Sequence, residues 1–174
     1  QNEHLGHYVH DLIVFDQGKN LTDFYDNAVF ISKHYPEDDQ ALALRLLAKT
    51  YWIKDEVFVS HLMISPMKTF QDKKRYSALG SSFEVVHINR PSFIVFGKKV
   101  EFDFSPKRWM LKLMRHLRIL RLLMPQWHQA ERKIAKDIRD QLLLRLDRRR
   151  LKELDAIKGY REVRYKAAEA YLGK

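Results

Sequence analysis

His4, His7 and His10 recur at every third position, and Asp11 follows the last of them. On a helix that spacing would lay imidazole nitrogens along one side, a donor set for a divalent transition metal. Near a chain end, in a sequence without a single cysteine, they are expected instead to be solvent-facing histidines. A second candidate is Lys54-Asp55-Glu56, three charges set inside an apolar segment. Asp55 or Glu56 with His61 or His87 would form a general acid–base pair if brought within hydrogen-bond reach. The expected reading is that these charges pair with neighbouring elements and hold the segment in place, because structural ion pairs occupy such positions too. The six glycines are scattered, and no phosphate-binding glycine loop, nucleophile elbow or zinc-protease helix is present. A self-contained active site is therefore not expected.

The strongest charge signal lies elsewhere. Arg108, Lys112, Arg115, Arg118 and Arg121 thread through "SPKRWMLKLMRHLRILRLLMP", and Arg148, Arg149 and Arg150 form a triplet, with Trp109 and Trp127 in the same part of the chain. Cations beside aromatics suit a phosphate backbone with stacked bases, and a basic amphipathic helix suits an anionic membrane surface. Trp109, Leu113, Leu117 and Leu120 recur at three- and four-residue spacing, which predicts a buried stripe and leaves the arginines as an outer, basic docking edge.

Such side chains need elements to position them. Residues 5–16 and 20–34 read as two helices broken near Gly18. Glu37-Asp38-Asp39 suit a helix start, from which a long helix is expected over about 38–64, stopped by Ser65-Pro66. A polar connection, QDKKRYSALGSS, follows. Phe83–Asn89, Phe93–Phe96 and Val100–Phe104 are β-branched and aromatic and read as strands of a small antiparallel sheet covered by helices. From Pro106, with Ser105 as its cap, a helix should reach Pro125, followed by one over about 126–147 and a last stretch ending near Gly173, interrupted at Gly159. The class expected is α+β, mainly α: one domain over 1–174, with helices over about 5–64, a two- to three-stranded sheet over about 82–104 and a basic helical part over about 106–173.

Composition limits the function. The 174 residues suit one domain with a sizeable core. With no cysteine, disulfides, thiolate-bound zinc and cysteine-ligated iron–sulfur clusters are excluded. No run of eighteen uncharged apolar residues occurs and no secretory pattern opens the chain, so a cytoplasmic protein is the expectation. The first residue is Gln rather than Met, as in a processed chain or a piece of a longer one. The net charge is +10, and the whole excess falls after Pro106. A basic face of that kind attracts nucleic acid, anionic lipid or an acidic protein surface.

Several strings carry a resemblance in collinear order. "LAKTYWIKDEVFVSHL" (Leu47–Leu62) looks like a helix reading "YKDEYEVARL", and "VHINRP", with His87 and Pro91, looks like "FHLAPP". "FSPKRWMLKLMRHLRILRLL", with Phe104, Pro106 and Trp109, looks like "FGPWMLRAFRLLARLKGLRG". Glu131-Arg132 echo an "ERR" helix start, and "IKGYREVRY", with Gly159, looks like "IRGYGHVKE". Over residues 15–172 the chain thus resembles the domain of unknown function at the C-terminal end of bacterial indolepyruvate ferredoxin oxidoreductases, members of the thiamine-diphosphate-dependent 2-oxoacid:ferredoxin oxidoreductases. Two departures stand out: "MPQWHQ" replaces a longer glycine-containing link, and Arg161-Glu162 replace a glycine-histidine pair.

The resemblance implies an accessory, non-catalytic part of an enzyme that converts arylpyruvates and coenzyme A to acyl-coenzyme A and carbon dioxide while reducing ferredoxin. Thiamine diphosphate, magnesium and iron–sulfur clusters would sit in its other domains or subunits, which would be this chain's partners, with no cofactor in this chain. Lys54, Asp55, Glu56, His87, Pro91, Trp109, Glu131, Arg132 and Gly159 would then be structural. Two alternatives remain open on the sequence: a free-standing basic module for nucleic acid or an acidic protein, and a cleft of the parent enzyme lined by the Lys54–Glu56 helix and His87.

Overall fold

The computed structural model describes residues 2–80, 86, 92–95, 98–101, 105–123, 128–159 and 162–173. Among them are ten α-helices: α1 (Asn2–Asp16), α2 (Leu21–His34), α3 (Glu37–Lys49), α4 (Glu56–Met63), α5 (Pro66–Arg75), α6 (Arg108–Met114), α7 (Leu120–Leu123), α8 (Gln129–Leu142), α9 (Arg148–Asp155) and α10 (Glu162–Leu172). The α+β expectation is corrected: among the described residues the fold is helical, with no β layer on which helices pack. The extended pairing among the described residues is one short antiparallel ribbon, Ser92–Val95 (β1) against Lys98–Glu101 (β2), with Phe93 opposite Val100. Two four-residue strands do not make a layer. Of the other expected strand residues, Phe83–Val85, His87–Asn89, Phe96 and Phe102–Phe104 lie outside the described residues, and Val86 is not in a strand.

The chain gathers into two compact units, one formed by residues 1–54 with 125–174 and the other by 55–124. The first unit owes its corners to local chemistry. Gln17 and Gly18 both take positive φ, and Asp16 accepts from the Gly18 amide at 2.9 Å, so α1 ends where the sequence predicts. A Cβ on Gly18 would meet Leu21 Cδ1 at 2.8 Å, in a backbone conformation that side chains avoid. Its core collects Leu12, Phe24 and Ile31 from α1 and α2, Leu46 and Leu47 from α3, Ile138 and Leu142 from α8, and Leu151 and Leu154 from α9. Each such side chain contributes about 1.5–3 kcal/mol through its removal from water.

Two tyrosine hydroxyls inside this unit bridge separate elements. The Tyr35 hydroxyl donates to the Leu142 carbonyl at 2.6 Å and accepts from the Leu146 amide at 3.0 Å, joining the end of α2 to the link between α8 and α9. The Tyr51 hydroxyl donates to Asp23 at 2.7 Å and accepts from Asn27 at 2.7 Å, while the Arg139 guanidinium lies 4.6 Å from its ring centroid. Burial first, and the hydrogen bond to Asp23 second, push the Tyr51 phenol from 10.0 to about 12. Between α3 and α9, Asp155 meets Arg45 at 3.0 Å and Lys158 at 2.8 Å.

Three expected helices are redrawn. The single helix over 38–64 is two, because the Thr50 hydroxyl and amide both turn back to the Leu47 carbonyl and helical bonding stops there. Ser65-Pro66 begins a helix as well as ending one: Ser65 accepts from the Lys68 amide at 3.1 Å and Pro66 fills the first turn of α5. The helix expected from Pro106 to Pro125 starts at Arg108, with Lys107 rather than Ser105 at its cap position, and breaks after Met114. There, His116 and Leu117, and then Leu120 and Arg121 in the first turn of α7, donate to carbonyls three residues back, the tighter 3-10 pattern. The interruption expected at Gly159 is present between α9 and α10.

Tyr35→Phe removes one oxygen that serves two backbone groups, and it should lower stability by about 1–3 kcal/mol in urea denaturation. Tyr51 holds its proton more tightly folded than unfolded. The stability it supplies is therefore fully present below pH 10 and is lost as pH rises from 10 towards 12, and ultraviolet titration should find one phenol ionising near 12.

Candidate functional site

Asp55 is the first residue of the second unit, and its backbone sits in the extended region that favours an N-cap. One carboxylate oxygen accepts from the Phe58 amide at 2.7 Å, starting α4. The same carboxylate grips Arg121 by a two-toothed contact, Nε to Oδ2 at 2.6 Å and Nη2 to Oδ1 at 2.9 Å. The Asp55 side chain is 4% exposed and that of Arg121 14%. Two charges that far from water are stabilised by the two-toothed pairing, and on Asp55 by the Phe58 amide as well. α4 packs on α6, and Val57, Phe58 and Leu111 are buried.

This arrangement decides the acid–base reading. Asp55 is a cap and a counterion, closed to a substrate and already committed on both oxygens. Glu56 opens α4 half-buried, His61 is half-buried in its last turn, and Lys54 is exposed. His87 and Pro91 lie outside the described residues. The histidine triplet gives no cluster either: His7 and His10 are exposed, His10 faces Asp11 at 3.4 Å, and the side chain of His4 is outside the described set. Among the described residues no group of three or more His, Asp or Glu is placed to hold a metal ion.

The residues expected on a basic face are divided between the two units. Arg121 turns inward to Asp55, whereas Arg108 and Lys112 are exposed and Arg115 and Arg118 half-buried, Arg115 donating to His116 at 3.0 Å. Arg148, Arg149 and Arg150 belong to the first unit, at the start of α9, which Asp147 caps. There they meet carboxylates: Arg148 reaches Asp39 at 3.6 Å, Arg150 reaches Glu153 at 2.8 Å, and Arg149 reaches Glu153 at 3.3 Å. An open depression of about 510 Å³ beside them is lined by Arg148, Arg149, Lys152, Glu153, Ala156 and Tyr171. Its cations share it with the Glu153 carboxylate.

The buried stripe is the largest correction. Trp109 is 61% exposed and Leu113 56%, while Leu117 and Leu120 are half-buried. The residue that α6 does bury is Leu111, between the two expected positions. Trp109 and Leu113 share one side of α6 and Leu111 lies on the opposite side, so the helix buries the side away from the expected stripe, and the break after Met114 separates Leu117 and Leu120 from that helix. Leu122 and Leu123, with Ile119, are also exposed.

The remaining described motif residues lie on α8 and just before α10. Glu131, in the first turn of α8, is buried and meets Arg164 of α10 at 2.8 Å, and Arg132 is exposed. Gly159 takes φ +104°, and a Cβ there would meet Val163 Cγ1 at 2.8 Å. The Asp55–Arg121 pairing, sixty-six residues apart, had no local signal beyond an aspartate three residues before a helical Phe58 amide. No helix of the described residues is long and apolar enough to cross a membrane. Comparison with models of protein families, with curated proteins and with solved structures finds no match.

Asp55→Ala removes the cap and leaves the Arg121 guanidinium buried without its counterion. The cost should be about 3–5 kcal/mol, with hydrogen exchange rising across α4 and α6, whereas Lys54→Ala should change stability by less than about 0.5 kcal/mol.

Proposed function

We propose that the chain is a non-catalytic accessory module of a thiamine-diphosphate-dependent 2-oxoacid:ferredoxin oxidoreductase of the indolepyruvate type, docking on its catalytic domains or subunits in the cytoplasm. The observation that carries the docking part is how the second unit disposes its apolar side chains. Among its described residues Val57, Phe58 and Leu111 are buried, whereas Met67, Phe70, Trp109, Leu113, Ile119, Leu122 and Leu123 are exposed. Among the described residues of this unit the exposed large apolar groups outnumber the fully buried ones, which suits a surface that another surface covers. The kind of partner comes from the collinear strings between residues 15 and 172. The structural roles of Asp55, Glu131 and Gly159, each in one of those strings, agree with an architectural module.

On this reading thiamine diphosphate, magnesium and iron–sulfur clusters belong to the partner polypeptides, and this chain binds none of them. Its part is to present a fixed surface. The nucleic-acid alternative gains little from the Arg148–Arg150 triplet, since Asp39 and Glu153 already lie against it.

Coexpression with the polypeptides encoded beside it, followed by purification through a tag on this chain, tests the proposal. Thiamine-diphosphate-binding and gamma-type polypeptides should co-elute in fixed ratio, with arylpyruvate-dependent electron transfer in the complex and none in this chain alone. Recovery with no polypeptide of that class would overturn it.

A further inference from the structure

We infer that the face built by residues 107–123 receives a protein surface with an aliphatic centre and a rim of Asp and Glu, and that Trp109 is its anchor. The inference rests on the docking reading above and names the place and the chemistry of the contact.

Trp109, Leu113, Ile119, Leu122 and Leu123 are all exposed within fifteen residues of chain, Leu122 at 73% and Leu123 at 69%, and are the proposed apolar centre. Lys107, Arg108 and Lys112 are exposed in the same segment, and from Ser105 to Leu123 the sequence contains no Asp or Glu. Its own charges are all of one sign, so a rim of carboxylates complements it and a basic rim is repelled. Exposed tryptophan and arginine, here Trp109 and Arg108, are residue types in which interface energy concentrates.

The shape favours protein over a lipid surface. Membrane-surface helices lie flat as one continuous amphipathic element, but here a seven-residue α6 and a four-residue α7 are separated by tightened turns. Asp55 fixes Arg121 at one end of this path, and Leu111 is buried near the other. A face held in advance loses little freedom when a partner covers it. Nucleic acid is disfavoured for a different reason: the exposed residues between the cations are mainly aliphatic, with one tryptophan for stacking.

Photo-crosslinking in the complex tests this. A benzophenone amino acid is placed at Leu122 or, on the first unit, at the exposed Tyr25, in full-length chains whose circular dichroism matches the wild type. Leu122 should crosslink to Asp- and Glu-rich peptides of a thiamine-diphosphate-binding or gamma-type polypeptide, and Tyr25 should not. Trp109→Gln should then raise Kd roughly thirtyfold and Lys112→Glu about tenfold, the latter effect shrinking in high salt. A partner that copurifies but crosslinks from Tyr25 alone, or from neither site, would overturn this face and leave the accessory-module reading standing. Failure to copurify, with sedimentation on phosphatidylglycerol vesicles but not on phosphatidylcholine, would overturn both.

Discussion

One buried carboxylate sets the form of the second unit. Asp55 starts α4 by satisfying an amide that would otherwise lack a partner, and with its other lone pairs it fixes a guanidinium that arrives from α7. Neither duty is separable from the other. The cap holds the carboxylate at the helix N-terminus, where the positive end of the helix dipole favours its charge, and that charge is what allows Arg121 to sit away from water. The pairing ties α7 to the start of α4, and the exposed Leu122 and Leu123 follow Arg121 directly in the chain. An interaction that resembles catalytic equipment in the sequence thus acts on function by geometry.

The first unit is held by a different logic. Its apolar core is ordinary in size and composition, but its polar groups bridge elements far apart in sequence: Tyr35 to the backbone at 142 and 146, Tyr51 to α2 with Arg139 over its ring, Arg45 to Asp155, and Glu131 to Arg164. Phenols bond in fixed directions, and a hydroxyl that both donates and accepts tolerates little sliding of one helix along another. Hydrophobic burial supplies the drive to assemble, and these contacts select one arrangement from the many that the same apolar faces would permit.

Much of the helical layout was legible. The breaks at Gly18 and Gly159, the acidic start of α3 and the periodic Ile134, Ile138 and Leu142 are all local signals, and all appear in the fold. The failures share a cause. Lys54-Asp55-Glu56 was read as the middle of a helix because its neighbours are apolar at helical spacing, whereas the outcome turns on Thr50 bonding back to Leu47 and on an arginine sixty-six residues away. The Trp109 stripe was extrapolated through a segment with neither Gly nor Pro to announce a break. Strand-like alternation around residues 92–101 gave a ribbon, and class assignment went astray by promoting it to a layer. Pairings over long separations and departures from 3.6 residues per turn leave no mark that a local pattern can hold.

The first unit is assembled from both ends of the chain, and the second occupies the stretch between them. During synthesis the second unit is therefore whole before the first: residues 55–124 leave the ribosome while Tyr35, Leu46 and Leu47 still await the segment that carries Ile138, Leu142 and Leu151. For that interval the early helices must carry their apolar sides uncovered, the condition in which nascent chains recruit chaperones or aggregate. Tyr35 and Leu142 meet across 107 residues, so closing that contact carries the entropy cost of a long loop.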